Sequence, residues 1–297
     1  MFERYRSIIP DYEGFLEALR TPAPKDVRIN TLKIDPERFS SWMVCRGYSF
    51  SPNRWYPFMV TLNDVPSPGS TLEYFLGYYH PQGFASALPS LVLDPQPGER
   101  ILDLCAAPGG KTSHIAQLME NRGFIVANDF ETRRLRALQS NLERLGVLNV
   151  VTTHYQGQNF PMKMKFHRVL VDAPCSGEGR FRVGEGRWQG SNLSFIMKLS
   201  QIQKQLILKG FDLLLPGGTL VYATCTFAPE ENEEVVAHLL KERDAELAEV
   251  SLPVPHTSGV IEWEGKKLEG ELKKSWRLYP HQTHSWGFFL AKCLKRG

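Results

Sequence analysis

Two cysteines at the ends of predicted strands are the residues of this chain best suited to chemistry. Cys175 lies in segment 169–177 and Cys225 in segment 219–227, and each segment is a β-branched run that ends in a turn. A free cysteine is most often a buried small hydrophobic residue, but these two follow strands, and Cys175 stands close to Asp172. Ligands of a parallel sheet bind beyond the carboxyl ends of its strands. The two thiols therefore predict covalent chemistry on a bound substrate.

A pair of thiols beside a methyl donor suits the methylation of cytosine at carbon 5, which is too weakly nucleophilic to take a methyl group directly. A thiolate that adds to carbon 6 makes carbon 5 nucleophilic. A second group then assists loss of the carbon-5 proton and release of the thiolate. Asp172 is placed to hold the exocyclic amine or a ring nitrogen of the base. The residues by themselves leave open which of the two thiols attacks.

A strand that opens into a helix through a glycine turn is predicted at residues 101–112. The sequence there is Ile-Leu-Asp-Leu-Cys-Ala-Ala-Pro-Gly-Gly-Lys-Thr. It is not a P-loop, because the first glycine of that motif would fall at Cys105, and it lacks the GxGxxG pattern of dinucleotide folds. Gly109 and Gly110 permit close approach of the backbone to a ligand, and a helix N-terminus attracts an anionic group. Asp129 ends the next predicted strand and suits a ribose diol. A ligand with a ribose, a negative group and no obligatory pyrophosphate predicts S-adenosylmethionine.

The composition is that of an ordinary globular protein of 297 residues, with 42% hydrophobic residues and a net charge of +3. The five cysteines are odd in number and include no CxxC pair, which favours reduced thiols in the cytoplasm and disfavours a zinc site. No signal peptide opens the chain, and no apolar run approaches the ~18–20 residues of a membrane span. We therefore expect a cytoplasmic protein with no metal and no membrane association. The other cysteines, Cys45, Cys105 and Cys293, are expected to be structural.

Two units are predicted, an N-terminal α+β domain over residues 1–92 and a catalytic domain over residues 93–297. The elements predicted in the first unit are a helix at 12–19, a strand at 27–33, a short helix at 39–45 and a loop at 52–69. From residue 99 onward, strands and helices alternate, which is typical of a parallel sheet with helices on both faces. Strands are predicted at 100–104, 124–129, 150–154, 168–172, 219–223 and 287–293, and helices at 111–119, 132–145, 193–214 and 231–241. The fold class is α/β, a Rossmann-like methyltransferase sheet that uses S-adenosylmethionine, with a small α+β N-terminal domain.

The chain resembles the RsmB/Nop2/Sun family of RNA cytosine-C5 methyltransferases over most of residues 25–295. The motifs that carry the resemblance stand at 28–33, 103–112, 172–177, 224–226, 229–233, 279–282 and 287–291. Several long motifs in the family's order are highly specific. The resemblance implies transfer of a methyl group from S-adenosylmethionine to carbon 5 of a cytosine in rRNA or tRNA through a covalent cysteine adduct at carbon 6.

The same resemblance assigns roles to individual residues. Cys225 is the nucleophile and Cys175 helps release, whereas the Pro-Cys motif of DNA cytosine methyltransferases would select Cys175 as the nucleophile. The residues implied to contact the cofactor or the target base are Ala106, Ala107, Pro108, Gly109, Gly110, Lys111, Asp129 and Asp172. Arg134, on the helix after Asp129, either lines the same pocket or is a solvated helix residue.

Two positions depart from the family pattern. Gln156 stands where an acidic residue near the adenine is frequent, and it is expected to bond the adenine amino group instead. Gly83 stands where a glutamate is frequent, so a role for an acid there is in doubt.

RNA is the expected partner. Segment 177–188 is rich in glycine, and its arginines and aromatic side chains suit phosphates and stacked bases: Arg180, Arg182, Arg187, Phe181 and Trp188. In the N-terminal unit the resemblance implies RNA contacts by Arg28, Asn30 and Lys33.

Two other functions are open from the sequence. One is a catalytically silent family member that binds S-adenosylmethionine and RNA in ribosome assembly, which the retention of both Cys175 and Cys225 disfavours. The other is a DNA cytosine methyltransferase, which the motif at 224–226 disfavours. Whichever of these functions applies, we expect the chain to act as a monomer.

Overall fold

The computed structural model describes residues 2–65, 67–184 and 192–297. Its helices are α1 Tyr12–Arg20, α2 Pro36–Cys45, α3 Leu72–Phe75, α4 Phe84–Leu93, α5 Gly110–Leu118, α6 Thr132–Leu145, α7 Leu193–Asp212, α8 Glu233–Glu242 and α9 Pro280–Thr283. Its strands are β1 Asp26–Ile29, β2 Phe50–Pro52, β3 Met59–Leu62, β4 Tyr79–Pro81, β5 Arg100–Asp103, β6 Phe124–Asn128, β7 Val150–Thr153, β8 Phe166–Asp172, β9 Leu214–Thr224, β10 Ala245–Ala248, β11 Thr257–Ser258, β12 Glu262–Trp263, β13 Lys266–Lys267, β14 Trp276–Leu278 and β15 Phe288–Lys295.

The first four strands form a small antiparallel sheet in the order β2-β3-β1-β4. Helix α2 begins earlier than predicted, because Asp35 caps it by accepting bonds from the amides of Glu37 and Arg38. The loop predicted at 52–69 is wrong in its middle, where β3 is an inner strand. Met59, Val60 and Leu62 of β3 are buried in the small sheet's packing, as expected for a short β-branched and apolar run.

The second sheet has nine strands, eight of them in the order β11-β14-β15-β9-β8-β5-β6-β7, with β10 also pairing with β15. The strands β5 to β9 are parallel, whereas β10, β11, β14 and β15 pair antiparallel. All six strands and four helices predicted after residue 99 are present, although β9 begins at Leu214 rather than at residue 219. The Rossmann-like fold is confirmed, with an antiparallel extension at one edge that the alternation did not predict.

Both faces of this sheet are buried. In β5, Ile101 packs into the core on the side of α4 and α5, and its neighbour Leu102 packs into the core on the side of α7 and α8. Successive side chains of a strand point to opposite faces, so helices on both sides leave no solvated face and the strands become continuously apolar. The carboxyl edge of the sheet is thereby held rigidly from both sides.

The predicted boundary near residue 92 stays a prediction, and several contacts cross it. Helix α4 packs against β8, β9 and β15 of the large sheet. Phe15 of α1 lies edge-on to Phe227 and Tyr279, with ring centroids 5.4 and 6.2 Å away. The N-terminal helix and α4 thus contribute to the core around the large sheet.

Candidate active site

The two strand-end thiols, Cys175 and Cys225, are in direct contact. Strands β8 and β9 are parallel neighbours with Asp172 opposite Ala223, so both loops leave the sheet at the same edge. The two Sγ atoms are 3.2 Å apart, and the amide of Cys225 donates to Cys175 Sγ at 3.3 Å. Both residues line one cleft. The structure therefore brings together the two thiols that the sequence singled out.

The two thiols differ in how readily they ionise. The hydrogen bond from Cys175 lowers the pKa of Cys225, against the opposing effect of burial, and the charges of Arg180 and Lys111 act in the same direction. That bond, together with burial, raises the pKa of Cys175 well above its ordinary value. The thiolate is the reactive form of cysteine, so this difference in pKa favours Cys225 as the more reactive thiol of the pair.

Hydroxyl groups next to the cysteines tie the two loops together. Ser176 follows the first thiol and Thr226 follows the second, and their oxygens are 2.6 Å apart. Thr226 donates onward to one carboxylate oxygen of Glu178 at 2.9 Å, and the hydroxyl of Tyr5 donates to the other oxygen at 2.9 Å. Sequence analysis missed this network, although a hydroxyl residue directly after each cysteine is a signal that could have indicated it.

An ion pair stands beside the thiols. Lys111 Nζ lies 2.7 Å from Asp172 Oδ2, with the two side chains 11% and 28% exposed. The same ammonium donates to Ser86 Oγ at 3.1 Å and sits 5.1 Å from the ring centroid of Phe288. Asp172 also acts electrostatically on Cys225. The cleft thus presents a carboxylate and an ammonium next to the nucleophile.

The glycine turn packs against helix α6 at Gly109, which is not among the residues that line the cleft. Gly109 has a φ of +100°, and a Cβ there would lie 2.8 Å from Leu138 Cδ1, so a side chain is both strained and crowded. Helix α5 begins at the next residue. Thr112 donates to Asp103 Oδ2 at 2.7 Å, while Asp103 Oδ1 is buried and has no hydrogen-bond partner among the described residues. Burial raises the pKa of Asp103 to about 7.

Asp129 is fixed over this turn by backbone amides. Its Oδ2 accepts from the amide of Ala107 at 3.1 Å, and its Oδ1 accepts from the amide of Glu131 at 3.1 Å. Arg134 folds back toward the turn, donating to the carbonyl of Ala107 at 2.5 Å and lying 3.6 Å from Asp129 Oδ2. Of the two alternatives for Arg134, the structure favours the pocket-lining one.

These groups surround a cleft of about 1110 Å³. A drug-sized ligand site is typically about 300–1,000 Å³, so this cleft is large enough for a ligand of cofactor size. The predicted site residues that line it are Ala106, Ala107, Pro108, Gly110, Lys111, Asp129, Arg134, Gln156, Asp172, Cys175, Arg180 and Cys225. Lining residues that sequence analysis did not name include Lys25, Asn128, Phe130, Leu206 and Phe288.

Arg28 and Asn30 do not present their side chains to a phosphate, which contradicts the prediction that they contact RNA. Arg28 is fully buried and donates to Gln82 Oε1 at 2.9 Å and to Ser113 Oγ at 2.7 Å. Asn30 is 1% exposed and donates to the carbonyl of Leu145 at 2.8 Å. These bonds join the small sheet to α5 and α6, so the two residues hold the units together.

Arg182 is likewise buried, at 3% exposure, and the prediction that it contacts RNA is wrong. Its guanidinium donates to the carbonyl of Ser285 at 2.6 Å and stacks 4.8 Å from the ring of Trp286. Trp286 also accounts for the glycine that departs from the family pattern, because a Cβ at Gly83 would lie 2.4 Å from Trp286 Cδ1. The indole occupies the space that a side chain would need.

The remaining predicted RNA contacts lie at the surface or outside the described part of the chain. Arg180 is exposed at the rim of the cleft. Lys33 is exposed and donates to the carbonyl of Leu76 at 3.1 Å. Arg187 and Trp188 lie outside the described residues.

Within the described ranges, no helix is long and apolar enough to cross a membrane. The same part of the chain holds no group of three or more His, Cys, Asp and Glu side chains placed to bind a metal ion. The expected absence of metal and membrane association stays a prediction.

Comparison with known proteins gives consistent matches. The family model described as 16S rRNA methyltransferase RsmB/F matches residues 90–294. The tRNA (cytosine(49)-C(5))-methyltransferase of Pyrococcus abyssi is 41% identical over 299 residues, which are 99% of this chain and 95% of that protein. The crystal structure of a methyltransferase homolog protein from Pyrococcus horikoshii has a TM-score of 0.87 at 37% identity, covering 99% of this chain and 93% of that one.

Some relatives are much longer than this chain. The 28S rRNA (cytosine-C(5))-methyltransferase of Mus musculus is 40% identical over 288 residues, which are 95% of this chain. The chain spans only 36% of the length of that mouse protein and 35% of the length of a human relative.

Proposed function

The chain belongs to the RsmB/F methyltransferase family, and on this premise we propose that it transfers a methyl group from S-adenosylmethionine to carbon 5 of a cytosine in RNA. The observation that carries the proposal is the contact between Cys175 and Cys225 in a cleft that the glycine turn and Asp129 also line. Methylation of an ordinary nucleophile needs no thiol, whereas activation of a pyrimidine carbon calls for a covalent nucleophile.

The residues around the glycine turn fit the methyl donor. Ala106, Pro108 and Gly110 of the glycine turn line the cleft, and Asp129 is a carboxylate fixed over this turn, where it suits a ribose diol. Gln156 lines the cleft and suits the adenine amino group. The buried Asp103 Oδ1, which lacks a partner among the described residues, is free to accept a bond from a ligand donor. When bound, S-adenosylmethionine supplies an electrophilic methyl group.

Cys225 acts as the nucleophile. Its Sγ forms a bond to carbon 6 of the cytosine, and the electron pair of the carbon 5–carbon 6 double bond shifts so that carbon 5 can attack the methyl group. The hydrogen bond from Cys175 favours the Cys225 thiolate before attack. Asp172 and Lys111, paired 2.7 Å apart, hold the polar edge of the base and stabilise the charge that develops on it.

Cys175 acts in release. While Cys225 is a thiolate, its charge contributes to the raised pKa of Cys175. That contribution disappears when the Cys225 sulfur is bonded to carbon 6, so Cys175 gives up its own proton to water in the cleft more readily. As a thiolate it then accepts the proton of carbon 5, and the electrons of that C–H bond re-form the ring double bond and expel Cys225.

RNA is the proposed substrate. The relatives described above carry RNA in their names, and the exposed Arg180 at the rim of the cleft suits a backbone phosphate. The target cytosine leaves its stack to reach the thiols, as bases do in other enzymes that modify them.

The direct test is to incubate the protein with methyl-labelled S-adenosylmethionine and total RNA that lacks its own methylation. The expected result is label in 5-methylcytidine, and fractionation of the RNA then identifies the substrate class. Cofactor binding without label in any RNA would contradict the proposal.

A further inference from the structure

The loop that carries Cys175 is hydrogen-bonded to a buried carboxylate, that of Glu231. Its Oε2 accepts from the amide of Ser176 at 3.0 Å and from Gln203 Nε2 at 2.7 Å. The same Gln203 amide group also donates to the carbonyl of Pro174 at 2.8 Å. The residues on both sides of Cys175 are therefore fixed to one carboxylate, directly or through one side chain.

The surroundings of Glu231 make its charge effective. The side chain is 0% exposed, no salt bridge to it is found among the described residues, and Oε1 has no hydrogen-bond partner there. Charges interact more strongly in such a poorly solvated place than in water. The titratable groups that face it are Cys175, Glu178 and Tyr222, whose hydroxyl donates to the Glu231 carbonyl at 2.6 Å. Within the described ranges, no cation is paired with Glu231 to offset its effect on Cys175.

A negative charge close to a thiol disfavours the thiolate. The pKa of Cys175 is raised first by its hydrogen bond to Cys225, then by burial, and further by the charge of Glu231. Glu231 bonds the loop on both sides of Cys175, at Ser176 directly and at Pro174 through Gln203, whereas the principal charged neighbours of Cys225 are Asp172, Arg180 and Lys111. The carboxylate is therefore placed to act on Cys175 in particular.

We propose that Glu231 is a positioning residue that keeps the shared proton on Cys175 and so leaves Cys225 as the thiolate. The role of Glu231 in catalysis rests on the proposed function, because the two thiols have different roles only in covalent methyl transfer. The alternative is that Glu231 only fixes the shape of the loop through Ser176 and Gln203.

The test is alkylation of the wild-type protein and Glu231→Gln with substoichiometric iodoacetamide, with no RNA or cofactor present. The labelled cysteines are quantified by peptide mass spectrometry at about pH 8.5, where a carboxyl group with a pKa of about 7 is ionised. Cys225 is expected to be labelled preferentially in the wild type. The ratio of Cys225 to Cys175 labelling should fall by about threefold in Glu231→Gln, because one pKa unit changes the thiolate population of Cys175 about tenfold and the less basic thiolate is about threefold less nucleophilic.

Gln203→Leu is the matched control, since it removes the bonds to Pro174 and Glu231 but leaves the carboxylate charge. It should keep the wild-type ratio, without the fall of about threefold that one pKa unit produces. Equal shifts in both variants would mean that Glu231 acts through loop shape, and an unchanged ratio in Glu231→Gln would also overturn the proposal.

If Glu231→Gln fails to fold, the wild type decides the question by itself. Burial raises the pKa of Glu231 to about 7, so its charge is lost as the pH falls through that value. The preference for Cys225 should weaken over the same range, and a ratio that stays constant would refute the proposal. Because no methyl transfer is measured, a shifted ratio in a protein that methylates no RNA would leave this inference intact while the proposed function failed.

Discussion

Replacing Cys175 by alanine should make Cys225 harder to ionise. The Sγ atoms of Cys175 and Cys225 are 3.2 Å apart, and the hydrogen bond between them is the main cause of the lowered pKa of Cys225. Alanine removes the donor without adding bulk. The nucleophile then has to ionise in a buried site without its principal stabilising contact.

The size of the effect follows from the hydrogen bond. Bonds to charged groups are worth about 1.5–3 kcal/mol, and the low end applies because a thiol is a weak donor. A loss of about 1.5 kcal/mol reduces the thiolate population about tenfold at neutral pH. The more basic thiolate is intrinsically about threefold more nucleophilic, from a Brønsted coefficient of about 0.4–0.5. Alkylation of Cys225 should therefore be about threefold slower at neutral pH and about threefold faster at high pH, where the thiol is fully ionised.

The assay is the rate of iodoacetamide labelling of the Cys225 peptide as a function of pH, with the exposed Cys45 as an internal reference. Cys175→Ser is the matched control, because its hydroxyl keeps a donor and should preserve a profile close to that of the wild type. We predict that the curves of Cys225 labelling rate against pH cross for Cys175→Ala and the wild type. Superimposable curves would refute the idea that Cys175 stabilises the Cys225 thiolate.

Four further predictions concern the cofactor site, the core and the RNA surface. Gly109→Ala should cost about 1–3 kcal/mol from the left-handed backbone and lower both the thermal midpoint and the affinity for S-adenosylmethionine; unchanged values in scanning fluorimetry and calorimetry would contradict the account of the turn. Asp129→Asn should weaken cofactor binding in calorimetry by about tenfold, through loss of a charged acceptor, and an equal affinity would remove Asp129 from the site. Arg277→Met should cost about 3–5 kcal/mol in urea unfolding because it leaves Glu233 buried and unpaired, and a cost under about 1 kcal/mol, the value of an exposed pair, would show that the pair is not structural. Arg180→Ala should weaken RNA binding in fluorescence anisotropy and reduce the salt slope by about 0.7, as expected for one phosphate contact to a single strand, and an unchanged slope would place the RNA elsewhere.

The sequence predicted the elements that carry the site because their signals are local. The glycine turn, the helix Thr132–Leu145 with its C-cap at Gly146, and the strands that end at Asp172 and Thr224 each depend on a few neighbouring residues. The placement of both thiols at one edge of the sheet follows from parallel strands releasing their loops there, whereas their direct contact is a finding of the structure.

What the sequence did not predict depends on residues far apart in the chain. Arg28 and Arg182 suggest surface contacts by their charge, but partners 85 and 103 residues away bury them. Strand β3 was missed because its four residues stand in a segment rich in proline and aromatic residues, and only pairing with β1 and β2 makes them a strand. The sequence also did not show which of the two thiols has the lower pKa, because that depends on hydrogen bonding and burial rather than on spacing.

The central claim, that Cys225 attacks the base and Cys175 releases it, is tested most directly by trapping the intermediate. Wild type, Cys225→Ala and Cys175→Ala are incubated with labelled RNA and S-adenosylmethionine and separated on a denaturing gel. The account predicts a covalent protein–RNA adduct that accumulates in Cys175→Ala, with neither adduct nor methylated product in Cys225→Ala. An adduct that accumulates in Cys225→Ala and is absent from Cys175→Ala would contradict it.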